Sequence, residues 1–440
     1  MLQKILDILD VSIIVFCNIP VSYKKGEVAH MSDNTRVFGM SANAGRWVFV
    51  ILGMVINLCL GAVYAYSVFK GPLEKLFSAT AKQGNMPFMV FIAVFAIFTF
   101  LAGRFIDKLG PRIVMIVGGI VVGLGWMLAK FSGSITMVSI TYGIIGGAGV
   151  GLVYGGPVSV CTKWFPDRKG LAVGLALLGF GGSAFITAPL AKALIGSSGA
   201  LNTFLYMGAG FLVVTVILSM FMKFPPAGWK PAGWNPPQAA GGAAAAITPG
   251  SMVKTSSFYG LWICYLFGTT AGLMAIGVSA TVGGEVIGLD VGTAAFLVSI
   301  FAIFNGIGRP IFGTLADKIT PRYAAIVTFV IIGVSSLMML SAGKGSVALF
   351  AIAFCGFWLT LGGWLAIGPA STASFFGLEG YAQKYGVVFS AYGLGAIVGG
   401  IISGMAKDTF GSYTAAFWPT LILSIVGIFV AFALLRPPKK

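Results

Sequence analysis

Arg309 carries the most chemical content in this 440-residue sequence. It stands in the apolar run around Asn305-Gly-Ile-Gly-Arg309-Pro310, eight residues before Asp317. At ~1.5 Å per helical residue it lies roughly 12 Å from the charged end of its segment, near mid-depth of a ~30 Å hydrocarbon layer. A guanidinium there costs at least ~2.5–3.5 kcal/mol unless it faces a cavity or a partner. None of the twelve acids falls at that depth; they lie in loops, at segment ends or in the N-terminal stretch. The missing counter-anion is therefore expected to be a bound one. The planar fork of Arg matches the two oxygens of a carboxylate, which a Lys point charge does not. Asn305 lies one turn earlier on the same face, where its amide is expected to donate to a substrate oxygen. Tyr64, Tyr154, Trp364, Phe389 and Tyr392 are candidates for the walls of such a cavity.

Other chemistries find little support. The five cysteines are scattered, with no CxxC and no Cys/His spacing, so no metal site is expected. The one histidine, His30, precedes the first long apolar segment, which leaves none within the membrane for catalysis or a proton relay. Gly179-Phe-Gly-Gly-Ser-Ala184 sits inside an apolar segment with no preceding strand, so it is not a dinucleotide loop. No GxxxxGK[ST] is present, and no cofactor is expected. With no buried carboxylate, any proton movement is expected to bypass an embedded Asp or Glu.

The elements that must position Arg309 follow from composition. The chain is 58% hydrophobic and 9% charged, against roughly 25% charged in a soluble domain. Its 63 glycines suit close-packed membrane helices better than water-exposed ones. Twelve apolar segments are predicted, over roughly 47–69, 86–106, 112–131, 135–160, 170–193, 200–222, 257–280, 292–315, 322–342, 346–370, 383–405 and 413–435. An all-α membrane protein is expected, with bundles of six helices at 46–222 and 257–436, an N-terminal segment at 1–45, a linker at 223–256 and a tail at 437–440. The linker repeats Pro-Ala-Gly-Trp at 226–229 and 231–234. Residues 1–45 are a poor span, because Ile5–Val21 carries Asp7 and Asp10; either that stretch is an interfacial helix or, the favoured expectation, translation starts at Met31 or Met40 rather than Met1. Of the 28 basic residues, 20 fall on the side of the termini and linker. Seven fall on the other, Lys70, Lys75, Lys82, Lys130, Lys192, Lys344 and Lys407, so the termini are expected to be cytoplasmic. The net charge of +16 is spread in ones and twos, which marks loops rather than a nucleic-acid surface.

The halves repeat. Gly103-Arg-Phe-Ile-Asp107-Lys108-Leu-Gly-Pro111-Arg112 and Gly313-Thr-Leu-Ala-Asp317-Lys318-Ile-Thr-Pro321-Arg322 share five residues at a constant offset of 210. This pattern resembles the loop signature of the major facilitator superfamily. The resemblance implies two six-helix bundles rocking about a central site, with Asp107, Lys108, Arg112, Asp317, Lys318 and Arg322 in the conformational change. Tyr154-Gly155, Lys163-Trp-Phe-Pro-Asp-Arg-Lys-Gly-Leu-Ala172, Gly179-Phe180-Gly181, the linker repeat and the Arg309 segment look like the oxalate/formate antiporter family, related to the monocarboxylate transporters. The resemblance covers about residues 45–436.

In that family the residue equivalent to Arg309 binds substrate carboxylate, and Tyr64, Tyr154, Phe389 and Tyr392 line up with substrate-site positions; Trp364 does not line up cleanly. Oxalate-specific members carry a Lys where this chain has Tyr392. One cation suits a monoanion, and a dianion would leave an unpaired charge in a low-dielectric cavity. The expected function is secondary transport of lactate, pyruvate, acetate, glycolate or formate across a prokaryotic inner membrane, by a monomer, as proton symport or anion exchange. Oxalate/formate exchange, carriage of another anion and a membrane sensor are the alternatives. An enzyme is not expected, since no catalytic acid or base lies within the apolar region.

Overall fold

The computed structural model describes residues 36–226, 229–231, 248–377 and 381–438. His30, Ile5–Val21, Met1, Met31, most of the linker and the tail beyond 438 lie outside these. A two-residue hairpin, β1 (Arg36–Val37) and β2 (Met40–Ser41), leads into the first span.

Twelve helices are long and apolar enough to cross a membrane. They are α1 Ala42–Phe77, α2 Ala81–Ile106, α3 Pro111–Ala129, α4 Ile135–Trp164, α5 Leu171–Ser198, α6 Ala200–Ser219, α7 Ser256–Ile287, α8 Val291–Ala316, α9 Lys318–Leu340, α10 Val347–Phe376, α11 Gln383–Phe410 and α12 Tyr413–Leu434. The even number puts both ends of the described chain on one face. The helices form two bundles of six, meeting along α1·α7, α2·α11 and α5·α8.

Glycines set the close approaches. A Cβ at Gly308 would strike the backbone of Leu359, and one at Gly362 would strike Asn305, so α8 and α10 press together beside Arg309. Gly395 and Gly399 of α11 do the same against Thr269 and Thr270 of α7. Within α1 the coil tightens to a 3₁₀ turn at Gly61–Ala65, the turn that carries Tyr64.

α1 is longer than the sequence predicts, and this corrects the place of one residue. Lys70 is expected in a loop, but it is fully buried inside α1, where its ammonium pairs with Glu74 at 3.1 Å and donates to the Tyr413 hydroxyl of the other bundle. The same face carries further ties between the bundles. The Asp408 carboxylate accepts from Ala81 N and Lys82 N, both at 3.2 Å, capping the start of α2. Asn85 Nδ2 donates to Gly400 O and Ser403 Oγ at 3.0 Å.

On the terminus face the polar ties that anchor α1 stay within one bundle. Arg46 holds Asp167 with two bonds, of 2.6 and 2.9 Å, and donates to Trp164 O at 3.1 Å. Partial burial alone would raise the Asp167 carboxyl, but the bonds and charge of Arg46 outweigh it and hold the group below the ordinary carboxylate range. Trp229, from the first linker repeat, packs edge-on against Trp164 at 4.8 Å.

Candidate substrate site

Arg309 projects from α8 onto the seam between the bundles and is 3% exposed. Its Nη1 donates to Leu177 O of α5 at 2.7 Å, and its Cζ lies 5.8 Å from the Phe180 ring centre. Nε and Nη2 have no hydrogen-bond partner, and no carboxylate pairs with this guanidinium among the described residues. The Tyr154 hydroxyl approaches the guanidinium closely without forming a well-aligned hydrogen bond, and the Tyr64 hydroxyl lies within its field. The site therefore holds one fixed positive charge with two unused N–H directions, a costly arrangement unless an acceptor fills it.

Aromatic rings from both bundles enclose this charge. Tyr64 of α1 and Tyr392 of α11 touch hydroxyl to hydroxyl at 2.6 Å across the seam. Tyr64 stands edge-on to Phe180 at 5.2 Å and to Trp358 at 6.1 Å. Tyr154 stacks on Phe389 at 6.1 Å, and Phe389 stacks on Tyr392 at 4.8 Å. Phe95 of α2 is edge-on to Tyr154, Phe389 and Tyr392 within 5.1–6.0 Å. Such a box is apolar on its faces and carries hydroxyls at its edges, which suits a small organic anion.

The structure thus brings Arg309, Tyr64, Tyr154, Phe389 and Tyr392 together. Tyr392 reaches the arginine through Tyr64 rather than directly. Two of the expected residues are placed less simply. One N–H of the Asn305 amide is already taken: Nδ2 donates to Trp358 O at 3.1 Å, and the acceptor Oδ1 has no partner and lies against Gly181 of α5. A carboxylate gains nothing from that oxygen, whereas a hydroxyl does. Trp364 stands a layer behind, against Tyr265 at 6.0 Å and Phe329 at 5.4 Å. Its place is taken by Trp358, whose indole is anchored to Ser279 Oγ at 3.1 Å. Phe95, Phe180 and Trp358 carried no assigned role in the sequence. Phe180 alone had a signal, as the centre of Gly179-Phe180-Gly181.

Lys108, Arg112, Lys318 and Arg322 all lie at terminus-face ends of helices, and none makes an ion pair among the described residues. The side chains of Asp107 and Asp317 lie outside the described set.

This pairing of bundles with a charged seam defines a membrane carrier, and the comparisons agree. The sequence profile described as Major Facilitator Superfamily matches residues 50–368 and 287–440, so the chain belongs to that superfamily. It is a multi-pass membrane transporter and not an enzyme. The chain is 29% identical to the oxalate:formate antiporter of Oxalobacter formigenes, over 90% of this chain and 94% of that one. It is 29% identical to monocarboxylate transporter 13 of Rattus norvegicus, over 84% of each. Among solved structures, a bacterial homolog of the human lysosomal transporter Spinster, in an inward-facing conformation, superposes with a TM-score of 0.68 at 16% identity. It covers 90% of this chain and 98% of that one, which speaks to the fold alone.

Proposed function

We propose that this chain is a secondary carrier of small monocarboxylate anions. The observation that carries the reading is the Arg309 guanidinium, buried on the bundle seam with one neutral carbonyl acceptor and two unused N–H directions. A carboxylate would take both directions at once and neutralise the site, so the loaded seam could close at modest cost. The names of the two relatives, an oxalate:formate antiporter and a monocarboxylate transporter, support an organic acid as cargo. Transport is by alternating access of a monomer, as proton symport or anion exchange, with both termini on the cytoplasmic side of an inner membrane. The excess of Lys and Arg on the terminus face supports that orientation.

Oxalate is the second reading, favoured by the name of the first relative. Against it, Tyr392 offers a hydroxyl where oxalate-specific members of the resembling family carry a Lys. The test is competition in proteoliposomes. Unlabelled lactate, pyruvate, acetate and formate should each displace labelled pyruvate uptake, and oxalate should do so at least tenfold more weakly, one unpaired charge corresponding to about 1.4 kcal/mol or more. Oxalate competing as well as the monocarboxylates would overturn the reading.

A further inference from the structure

A second basic site lies far from the seam, where the start of α9, the end of α10 and the end of α12 meet on the terminus face. These elements enclose a half-open cavity of about 520 Å³ lined by Thr320, Arg322, Tyr323, Ser374, Phe375 and Arg436. None of its described lining residues is acidic. The Arg322 guanidinium lies over the Phe432 ring at 5.6 Å and the Tyr323 ring at 5.9 Å, and makes no ion pair among the described residues. Arg436 has one hydrogen bond, from Nη2 to Phe432 O at 3.1 Å. Two guanidiniums from different helices thus share one cavity with no counter-charge among the described residues.

The backbone at this cavity is also unusual. Thr320 has φ 79° and ψ 151°, a region that costs nothing to glycine and strains a β-branched residue. The equivalent position in the first half, 210 residues earlier, is Gly110, with φ 81° and ψ 161°. The first half has no second arginine either, because Pro226 stands at the position matching Arg436. The second half alone places a hydroxyl and two arginines at this corner. The corner lies at the ends of three spans, the depth at which lipid headgroups sit. Below it runs an apolar strip that includes Val327, 37% exposed, Phe432, 56%, and Phe429, 69%.

We propose that this cavity binds the headgroup of an anionic phospholipid. Its phosphate is held between Arg322 and Arg436, with the Thr320 and Ser374 hydroxyls as further donors, and its acyl chains lie along the strip of α9 and α12. Guanidinium forks match phosphate oxygens, and basic pockets between helices on the cytoplasmic side recognise anionic headgroups. The apolar strip distinguishes a lipid from free phosphate, which has nothing to place there.

The test uses the full-length protein purified in neutral detergent. Thermal unfolding is followed while phosphatidylglycerol, phosphatidylcholine or inorganic phosphate is added. Phosphatidylglycerol should raise the Tm by several degrees, and the other two should not. The double variant Arg322→Ala/Arg436→Ala should lose most of that shift, whereas Arg112→Ala, at the matching corner of the first half, should keep it. Native mass spectrometry of the unsubstituted protein should retain one phosphatidylglycerol after delipidation, which needs no variant to fold. An equal shift with phosphatidylcholine, an equal shift with phosphate, a full shift in the double variant, or no retained lipid would each overturn the proposal.

Discussion

Lys70 and Arg309 are both cations on the seam between the bundles, 0% and 3% exposed, and they differ in what surrounds them. Lys70 has a carboxylate at 3.1 Å, a hydroxyl from the opposite bundle and an aromatic ring 4.6 Å below it. Arg309 has one backbone carbonyl and no acid among the described residues. A buried charge supplied with protein partners belongs to the closed interface itself, because its energy is spent within the fold. A buried charge left short of acceptors is available to something that arrives. Lys70 thus ties the face away from the termini, while Arg309 stands near Tyr64, itself roughly 9 Å along α1 from Lys70, and is the group proposed to meet the cargo.

Stability separates the two most sharply. Lys70→Met leaves Glu74 unpaired and breaks the tie to Tyr413, and should cost about 3 kcal/mol, toward the lower end of what breaking a buried pair costs because Glu74 keeps some solvent access. Arg309→Met removes a charge with few protein partners and should leave thermal stability within about 1 kcal/mol. Thermal unfolding of both variants in detergent checks this, and equal losses would erase the distinction.

A third buried cation, Arg46, sharpens the comparison, since its carboxylate partner, Asp167, lies in the same bundle. Asp167→Asn should lower stability by about 2 kcal/mol through the loss of a charge-assisted pair. The sign with pH follows from the lowered Asp167 value: its stabilisation is present above the ordinary carboxylate range, and is lost as pH falls through the depressed folded value. Unfolding midpoints should therefore fall more steeply in acid for the wild type than for Asp167→Asn.

The charge of the site can be changed directly. Tyr392→Lys places a second cation beside the Tyr64 hydroxyl that Tyr392 now contacts at 2.6 Å. Oxalate should then compete about tenfold better, and monocarboxylate uptake should fall, because the loaded cavity would hold a net positive charge. The smallest effect expected is at Asn305. Its unpartnered Oδ1 suits a substrate hydroxyl, so Asn305→Ala should weaken lactate several-fold relative to acetate, about 1 kcal/mol for one neutral hydrogen bond. Ratios of half-maximal uptake concentrations check both.

Arg309 was legible in the sequence because a cation inside an apolar run has few innocent explanations. Tyr64, Tyr154, Phe389 and Tyr392 were legible only through family resemblance, since nothing in their local sequence distinguishes them from other aromatic residues. Phe95 and Trp358 could not be found that way: with 36 phenylalanines and nine tryptophans, aromatic type says little about which ring faces the seam. Lys70 was misplaced because a lysine near the end of an apolar run reads as loop; its burial depends on Tyr413, 343 residues away. The anchoring of the Asn305 amide was hidden for a similar reason, its partner being a backbone carbonyl 53 residues on that no side-chain pattern announces.

The central claim is that Arg309 receives the substrate carboxylate, and equilibrium binding tests it apart from transport and gating. Pyruvate would be titrated calorimetrically into the purified wild type and into Arg309→Lys, after thermal unfolding has established that both are folded. Lys keeps the charge and loses the fork, so affinity should fall roughly 10- to 100-fold, the worth of one charge-assisted hydrogen bond. Equal affinity in the two proteins would contradict the account.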